Sequence, residues 1–339
     1  MSLVRFRLWA LCLALIIDVS MFGAFVLFRK EIRMQGLVIT GPTGTIGMAM
    51  IKKCIEEKIN VMAICHPGSK RIQQIPKSKY VKVVEADLTE YEEMNIVKDN
   101  DVVYDVFLHL AWNGTFGDAR NNIKNQVENV KYTIDAVELS KRIGCKVFIG
   151  AGSQAEYGRV DALLTPMTPA FPENGYGIAK LSAGYMSRLR CEQLGIKHIW
   201  TRILSVYGPY DGENTMVIST LTKMLNNEET HFTAGDQIWD YLYCDDAARM
   251  LFYLADKGED KKTYCLGSAD RRPLKEYITK MYEITGCKAR LGLGDVPYGD
   301  RQVMCLCLDK QYLVGCGTQV PFEEGIAKTI EYIKDRKRV

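Results

Sequence analysis

The chain has few of the residues that build metal centres and disulfide frameworks. Its four histidines (His66, His109, His198, His231) are dispersed, and there is no Cys-x-x-Cys pair. That spacing argues against a zinc site, and no metal is expected. The cysteines number 11, an odd count, and are scattered from Cys12 to Cys316. They read as reduced thiols of a cytoplasmic protein rather than as a disulfide scaffold. There is no internal repeat, no low-complexity linker and no long run of like charge. The net charge of +3 gives no reason to expect a nucleic-acid partner. What remains, 47% apolar and 25% charged residues, is the composition of an ordinary globular protein. A chain of 339 residues can bury a full core, as one large domain or as two lobes.

One stretch departs from that composition. Leu8 to Phe28 is an apolar run of 21 residues interrupted by Asp18 and Ser20. It is long enough to span a bilayer. Arg5 and Arg7 precede it and Arg29, Lys30 and Arg33 follow, so the flanking charge sets no clear orientation. Asp18 in mid-span would cost roughly 2.5–3.5 kcal/mol. No small-residue cleavage site marks a signal peptide. Two readings of residues 1–35 stand side by side. They are a membrane anchor, with the remaining chain in the cytoplasm, or a mis-assigned start, with translation beginning at Met34. Membrane association is expected only if residues 8–28 are a real anchor.

From Leu37 the chain alternates strand and helix. Leu37–Thr40 reads as a strand, Met48–Glu57 as a helix, and Gly41-Pro-Thr-Gly44-Thr-Ile-Gly47 lies between them. Strand, glycine loop and helix in that order are the setting in which a glycine motif cradles a pyrophosphate. Gly41 permits the tight turn, Gly44 the close approach of a phosphate, and Gly47 tight packing of helix on strand. Thr43, Thr45 and Ile46 complete the cofactor-contacting loop. Further strands are expected at 60–65, 81–84, 103–108, 146–150, 197–204 and 264–266, and Tyr241–Tyr243 is expected to return to the sheet. Such alternation predicts an α/β fold, a Rossmann-type doubly wound parallel sheet. Ligands bind such sheets at the carboxyl ends of the strands. Those ends carry His66, Asp87 with Leu88, Leu110 with Ala111 and Trp112, and Ser153. An NAD-binding strand often ends in an acid at the second strand. Here Cys65-His66-Pro-Gly-Ser-Lys70-Arg71 has none, and Lys70 and Arg71 are suited to a 2′-phosphate, which tilts the reading toward NADP.

Tyr176 and Lys180 lie four residues apart, on one face of a helix. An ammonium near a phenol favours the phenolate, so the pair suits proton transfer to and from an alcohol. Ser153 is placed to hold the same alcohol. Tyr253 and Lys257 share the spacing, but without the glycine motif and strand end upstream they read as a surface pair.

These residues together resemble the extended short-chain dehydrogenases/reductases, of the NAD-dependent epimerase/dehydratase family acting on nucleotide sugars. The resemblance covers about residues 36 to 335. It rests on Gly41–Gly47, Asp87-Leu88, Asn129, Ser153 ahead of Tyr157-Gly158, Tyr176 with Lys180, and Arg202-Ile-Leu-Ser-Val-Tyr-Gly-Pro209. It implies NAD or NADP as cofactor, a nucleotide sugar as substrate, and a smaller C-terminal α/β substrate lobe, with limits at about 36–208 and 236–266 for the nucleotide lobe and about 209–235 and 267–335 for the substrate lobe. It also implies a homodimer formed through the helices at 121–141 and 176–194. Tyr176 resembles the acid/base. Lys180 resembles the residue that holds the nicotinamide ribose and lowers the tyrosine pKa, and Ser153 the partner of the substrate hydroxyl. Asn129 resembles a cofactor-side residue, and the backbone at Ser205 and Val206 faces the carboxamide. Trp112, Gln154, Trp239 and Arg301 are the substrate-side candidates.

Two departures from the family pattern bear on the reaction. Gln154 and Ala155 stand where 4,6-dehydratases carry an Asp-Glu pair, which disfavours water elimination. Trp239 stands where many epimerases carry an arginine for the diphosphate, and Gly-Ser153-Gln-Ala-Glu-Tyr with Ile-Trp239-Asp-Tyr resembles the branch that includes CDP-abequose synthases. The expected function is a nucleotide-sugar epimerase working at sugar C4. An NADPH-dependent 4-keto-sugar reductase is the alternative, and a non-catalytic dinucleotide-binding regulator the alternative of another class.

Overall fold

Strand β1 (Gly36–Thr40) is buried at every position, as a strand covered by helices on both faces must be. In the computed structural model it lies inside a seven-stranded sheet whose hydrogen-bonded pairs are all parallel. The other strands are β2 (Asn60–Cys65), β3 (Val81–Glu85), β4 (Val106–His109), β5 (Val147–Ser153), β6 (Lys197–Ile203) and β11 (Lys262–Leu266). The spatial order is β11-β6-β5-β4-β1-β2-β3. The structure describes residues 34–94, 102–299, 305–315, 317 and 319–336. The apolar run at 8–28 and Arg301 lie outside the described residues. Among the described residues no helix is long and apolar enough to cross a membrane.

The strand order reverses between β1 and β4, and such a switch point opens a crevice at the carboxyl ends. Thr40 and His109 are register partners there, and the Thr40 hydroxyl lies 2.9 Å from His109 Nδ1. Burial pushes His109 down to about 3, so this imidazole is neutral. Helices α1 (Thr45–Glu56), α2 (Ile123–Ile143), α3 (Gly175–Leu194) and α5 (Cys244–Lys257) flank the sheet. One apolar cluster joins α1, α5 and the strands and continues into α6 (Leu274–Thr285) and α7 (Phe322–Arg336). A second cluster fills the other face with Phe107, Phe148, Val137 and Leu139.

Contrary to the expectation from sequence, Tyr241–Tyr243 (β10) does not return to the large sheet. It pairs in parallel with β7 (Ser205–Tyr207) in a separate two-stranded sheet. The cause lies just after Ile203. The chain leaves the sheet at Leu204, whose N–H still bonds Leu266, and runs on as β7 toward α7. The remaining elements are α4 (Met216–Leu225), β8 (Thr230–Phe232), β9 (Ile238–Trp239), β12 (Arg272–Pro273) and β13 (Leu291–Leu293). They pair as β8 with β13 and β9 with β12, bringing residues after 209 and after 267 together. The described residues form one compact unit. Tyr253 is exposed, and Lys257 pairs with Asp256 at 3.0 Å, which fits a surface position for both.

Candidate active site

The loop after β1 is shaped by close approaches. Gly41 has φ +66°, and a Cβ there would lie 2.9 Å from the Ala111 nitrogen. A Cβ on Gly47 would lie 2.6 Å from the carbonyl oxygens of Gly41 and Pro42. So Gly47 packs the helix against its own loop, where the sequence suggests packing on the strand. Gly44 has open space, since a Cβ there would meet nothing closer than the Gly41 carbonyl oxygen at 3.8 Å. It is the N-cap of α1 and supplies no side-chain cap. The helices on the other side of the crevice are capped, α2 by Asn122 and α3 by Asn174. An uncapped N-terminus leaves backbone N–H groups and the positive end of the helix dipole free for an anion.

A cavity of about 500 Å³ lies over this loop. Its wall holds Gly41, Thr43, Gly44, Thr45, Ile46 and Gly47 from the loop, and Leu110, Ala111 and Trp112 from the segment after β4. Ser153, Tyr176 and Lys180 line it from the other side, and Arg71 and Val206 close it. Ser153 is the last residue of β5 and caps the short turn that follows. Tyr176 is on the first turn of α3, and Lys180 one turn on. The sheet thus brings together residues separated by more than a hundred positions.

The electrostatics differ from the simple expectation. Burial pushes the Tyr176 phenol above its ordinary range, opposed by a hydrogen bond with Ser153 and by the charge of Arg120. The sequence assigns Lys180 the role of lowering it. In the structure its ammonium donates to the Ala151 carbonyl at 2.7 Å and sits 3.7 Å from the Trp112 ring centroid. Its nitrogen is 5.8 Å from the Tyr176 ring centroid, whereas the Arg120 guanidinium is 4.4 Å away. Burial also pulls Lys180 down to about 7, partly offset by the carboxylate of Glu156. An ammonium removed from water on a hydrophobic wall is readily made neutral, which explains the direction.

Several sequence candidates lie away from this wall. His66 pairs with Asp87 at 3.1 Å at the ends of β2 and β3. Asp87 caps the turn at Leu88, and the N–H of Thr89 holds its carboxyl below the usual range. Asn129 is buried and braces a loop. It accepts from the Asn113 N–H at 2.9 Å and donates to the Asn113 carbonyl at 2.8 Å. That bond fixes the chain around Trp112, whose indole N–H donates to Gln126 at 2.9 Å. Thr115 lines the cavity. Lys70 is exposed, and Arg71 donates to the Tyr210 carbonyl at 2.7 Å, so this guanidinium is already engaged across the cleft. Ser205 is half-buried on β7 beside Val206. Gln154 lines a separate polar pocket. Trp239 packs against the apolar cluster that contains Tyr157, Leu164 and Leu204, and its indole N–H is buried without a partner among the described residues.

Sequence reasoning missed Glu156, Arg120, Phe116 and Asp211. Glu156 is fully buried. It accepts from the Ser153 N–H at 2.8 Å, from Arg202 at 2.9 Å and from Trp200 at 3.1 Å. The Ser153-x-x-Glu156 spacing of a capping box was the signal for it. Arg120, Phe116 and Asp211 sit in connections and carry no local signal.

Two curated relatives span nearly the same length as this chain. A putative UDP-glucose 4-epimerase of Methanocaldococcus jannaschii is 24% identical over 89% of this chain and 99% of its own. A dTDP-4-dehydro-6-deoxyglucose reductase of Escherichia coli is 24% identical over 90% and 99%. Among solved structures, a UDP-glucose 4-epimerase of Thermotoga maritima superposes with a TM-score of 0.74 at 23% identity. It covers 89% of this chain and 99% of that one. The NAD dependent epimerase/dehydratase family model matches residues 37–267, and the chain belongs to that family of nucleotide-sugar enzymes.

Proposed function

We propose that this protein is a nucleotide-sugar epimerase that holds NAD over the Gly41–Gly47 loop and inverts sugar C4, with Tyr176 as acid and base. The observation that carries the reading is the single cavity wall shared by the glycine loop, Ser153, Tyr176 and Lys180. The uncapped start of α1 takes the pyrophosphate. Bound NAD supplies the hydride acceptor and donor. The chain's own part is to position the alcohol and move its proton. Ser153 hydrogen-bonds the sugar hydroxyl, and Tyr176 takes the proton and gives it back. Lys180 lines the cofactor side as a hydrogen-bond donor, with the Trp112 ring against it. Gln154 and Ala155 offer no acid and base for water elimination, which speaks against a dehydratase.

A 4-keto-sugar reductase using NADPH is the second reading, favoured by the lack of an acid at the end of β2. The engagement of Arg71 with Tyr210 weighs toward NAD. To decide, the purified protein is denatured and the released dinucleotide identified. NAD recovered unchanged after turnover supports the epimerase. An empty site preferring NADPH supports the reductase. No affinity for either refutes both.

The same reading includes a homodimer. Ile123 and Val127 on α2 and Ile178, Tyr185, Met186 and Leu189 on α3 are each about half exposed or more. The two helices pack side by side, so their outer faces form one apolar surface suited to a second copy. Light scattering that returns a monomer mass at micromolar concentration refutes it.

A further inference from the structure

A second pocket, of about 310 Å³, has on its wall Arg120, the residue whose guanidinium lies 4.4 Å from the Tyr176 ring centroid. Arg120, Asn121, Gln154, Arg159, Glu173 and Asn174 line it. Arg159 and Glu173 neutralise each other at 2.9 Å. Arg120 makes no ion pair among the described residues. It touches the Thr115 carbonyl at 3.3 Å and lies over the Tyr176 ring. The amides add donors for a structural reason. Asn121 Oδ1 accepts the Gly175 N–H at 3.0 Å, and Asn174 Oδ1 accepts the Gly177 N–H at 2.8 Å. Their acceptor atoms are spent on the start of α3, so their NH₂ groups are what remains for a ligand. The pocket therefore presents one uncompensated guanidinium and several N–H donors, a set that matches an oxyanion.

We propose that this pocket receives a carboxylate carried by the sugar on the ring carbon next to the one Tyr176 works on, and that Arg120 reads it. The proposal rests on the reading of Tyr176 as acid and base at C4. A nucleotide sugar has two oxyanion groups to offer, the diphosphate and a uronate carboxylate. The diphosphate is attached at C1, across the ring from C4. A carboxylate on C5 is attached to the neighbour of C4, and Arg120 is in contact with the tyrosine itself. Specificity built this way is strong, because an uncharged sugar leaves a desolvated guanidinium without its partner.

The test uses the full chain loaded with NAD. It is titrated calorimetrically with glucuronate and glucose on UDP, dTDP, CDP and GDP carriers, and with each nucleoside diphosphate alone. On whichever carrier binds, the glucuronate form is expected to bind at least tenfold more tightly than the glucose form. Arg120→Gln removes that gap and leaves nucleoside diphosphate affinity unchanged, and Arg120→Lys keeps part of the gap. Equal affinity of the two sugars in the wild-type protein overturns the proposal, whether or not Arg120→Gln folds. So does a gap that survives Arg120→Gln. Loss of nucleoside diphosphate affinity in Arg120→Gln overturns it in favour of a diphosphate grip. A protein that binds NAD and none of the nucleotide sugars fails the broader reading as well, which separates the two failures.

Discussion

Around the loop Gly41–Gly47 the protein offers backbone; around Ser153, Tyr176 and Arg120 it offers side chains. On the first side the geometry is local except where Ala111 closes on Gly41. One strand, seven residues and one helix make it, and carbonyls 2.6 Å from a would-be Cβ enforce it. On the second side nothing is local. Ser153 comes from β5, Tyr176 from α3 and Arg120 from the connection before α2. A buried Glu156–Arg202 pair beneath Ser153 holds the arrangement. Backbone recognition suits a cofactor common to a family, whereas side chains can change one at a time, and they are where a substrate is chosen.

The sharpest test of this division is Tyr176→Phe. Turnover is expected to fall by about 10²–10⁴ with dinucleotide affinity unchanged, because only a proton carrier is removed. Calorimetry with NAD beside steady-state kinetics checks it, and loss of both together breaks the division. Glu156→Ala comes next. It leaves Arg202 buried without its carboxylate, and such breaks cost about 3–5 kcal/mol. Urea unfolding reads the loss, and a variant as stable as the parent shows that Ser153 has other support.

A smaller effect is expected at Asp211, which lies on the cavity wall beside Gly212. Burial raises its carboxyl to about 6 from an ordinary value near 3.8. A raised acid favours folding in its protonated form. Its contribution is intact below about pH 4 and is lost as pH rises through about 6. Asp211→Asn should therefore match the parent at pH 4 and exceed it by roughly 3 kcal/mol at pH 8. Denaturant titrations at both pH values test the sign, and equal stability at pH 8 refutes it. Gly47→Ala should cost about 1–3 kcal/mol by overpacking and weaken NAD binding. Tyr176 lies outside that strain, so turnover at saturating NAD should be nearly kept. A fall in turnover at saturation would show that the two halves are mechanically linked.

The legibility of the chain follows the same line. β1, β2 and the glycine loop are readable to within a few residues, because buried strands and tight turns impose their residue types locally. The spacing of Tyr176 and Lys180 is readable too, since helical geometry is local. The place of β10 is not. Its apolar residues fit any buried strand, and only the exit of the chain at Leu204 decides which neighbour it meets. Arg120 and Asp211 are invisible in the sequence, because a charged residue in a connection looks solvated until the fold shows what it touches.

Local sequence thus determined the order of strands and helices, the phosphate-ready loop and the tyrosine–lysine face, each of which depends on residues close in the chain. Tertiary structure alone decided which cation lies over Tyr176, where Lys180 donates, and that Asn121 and Asn174 line one pocket with Arg120. Those are contacts between segments far apart in sequence, set by how the sheet orders its strands and not by any pattern within them.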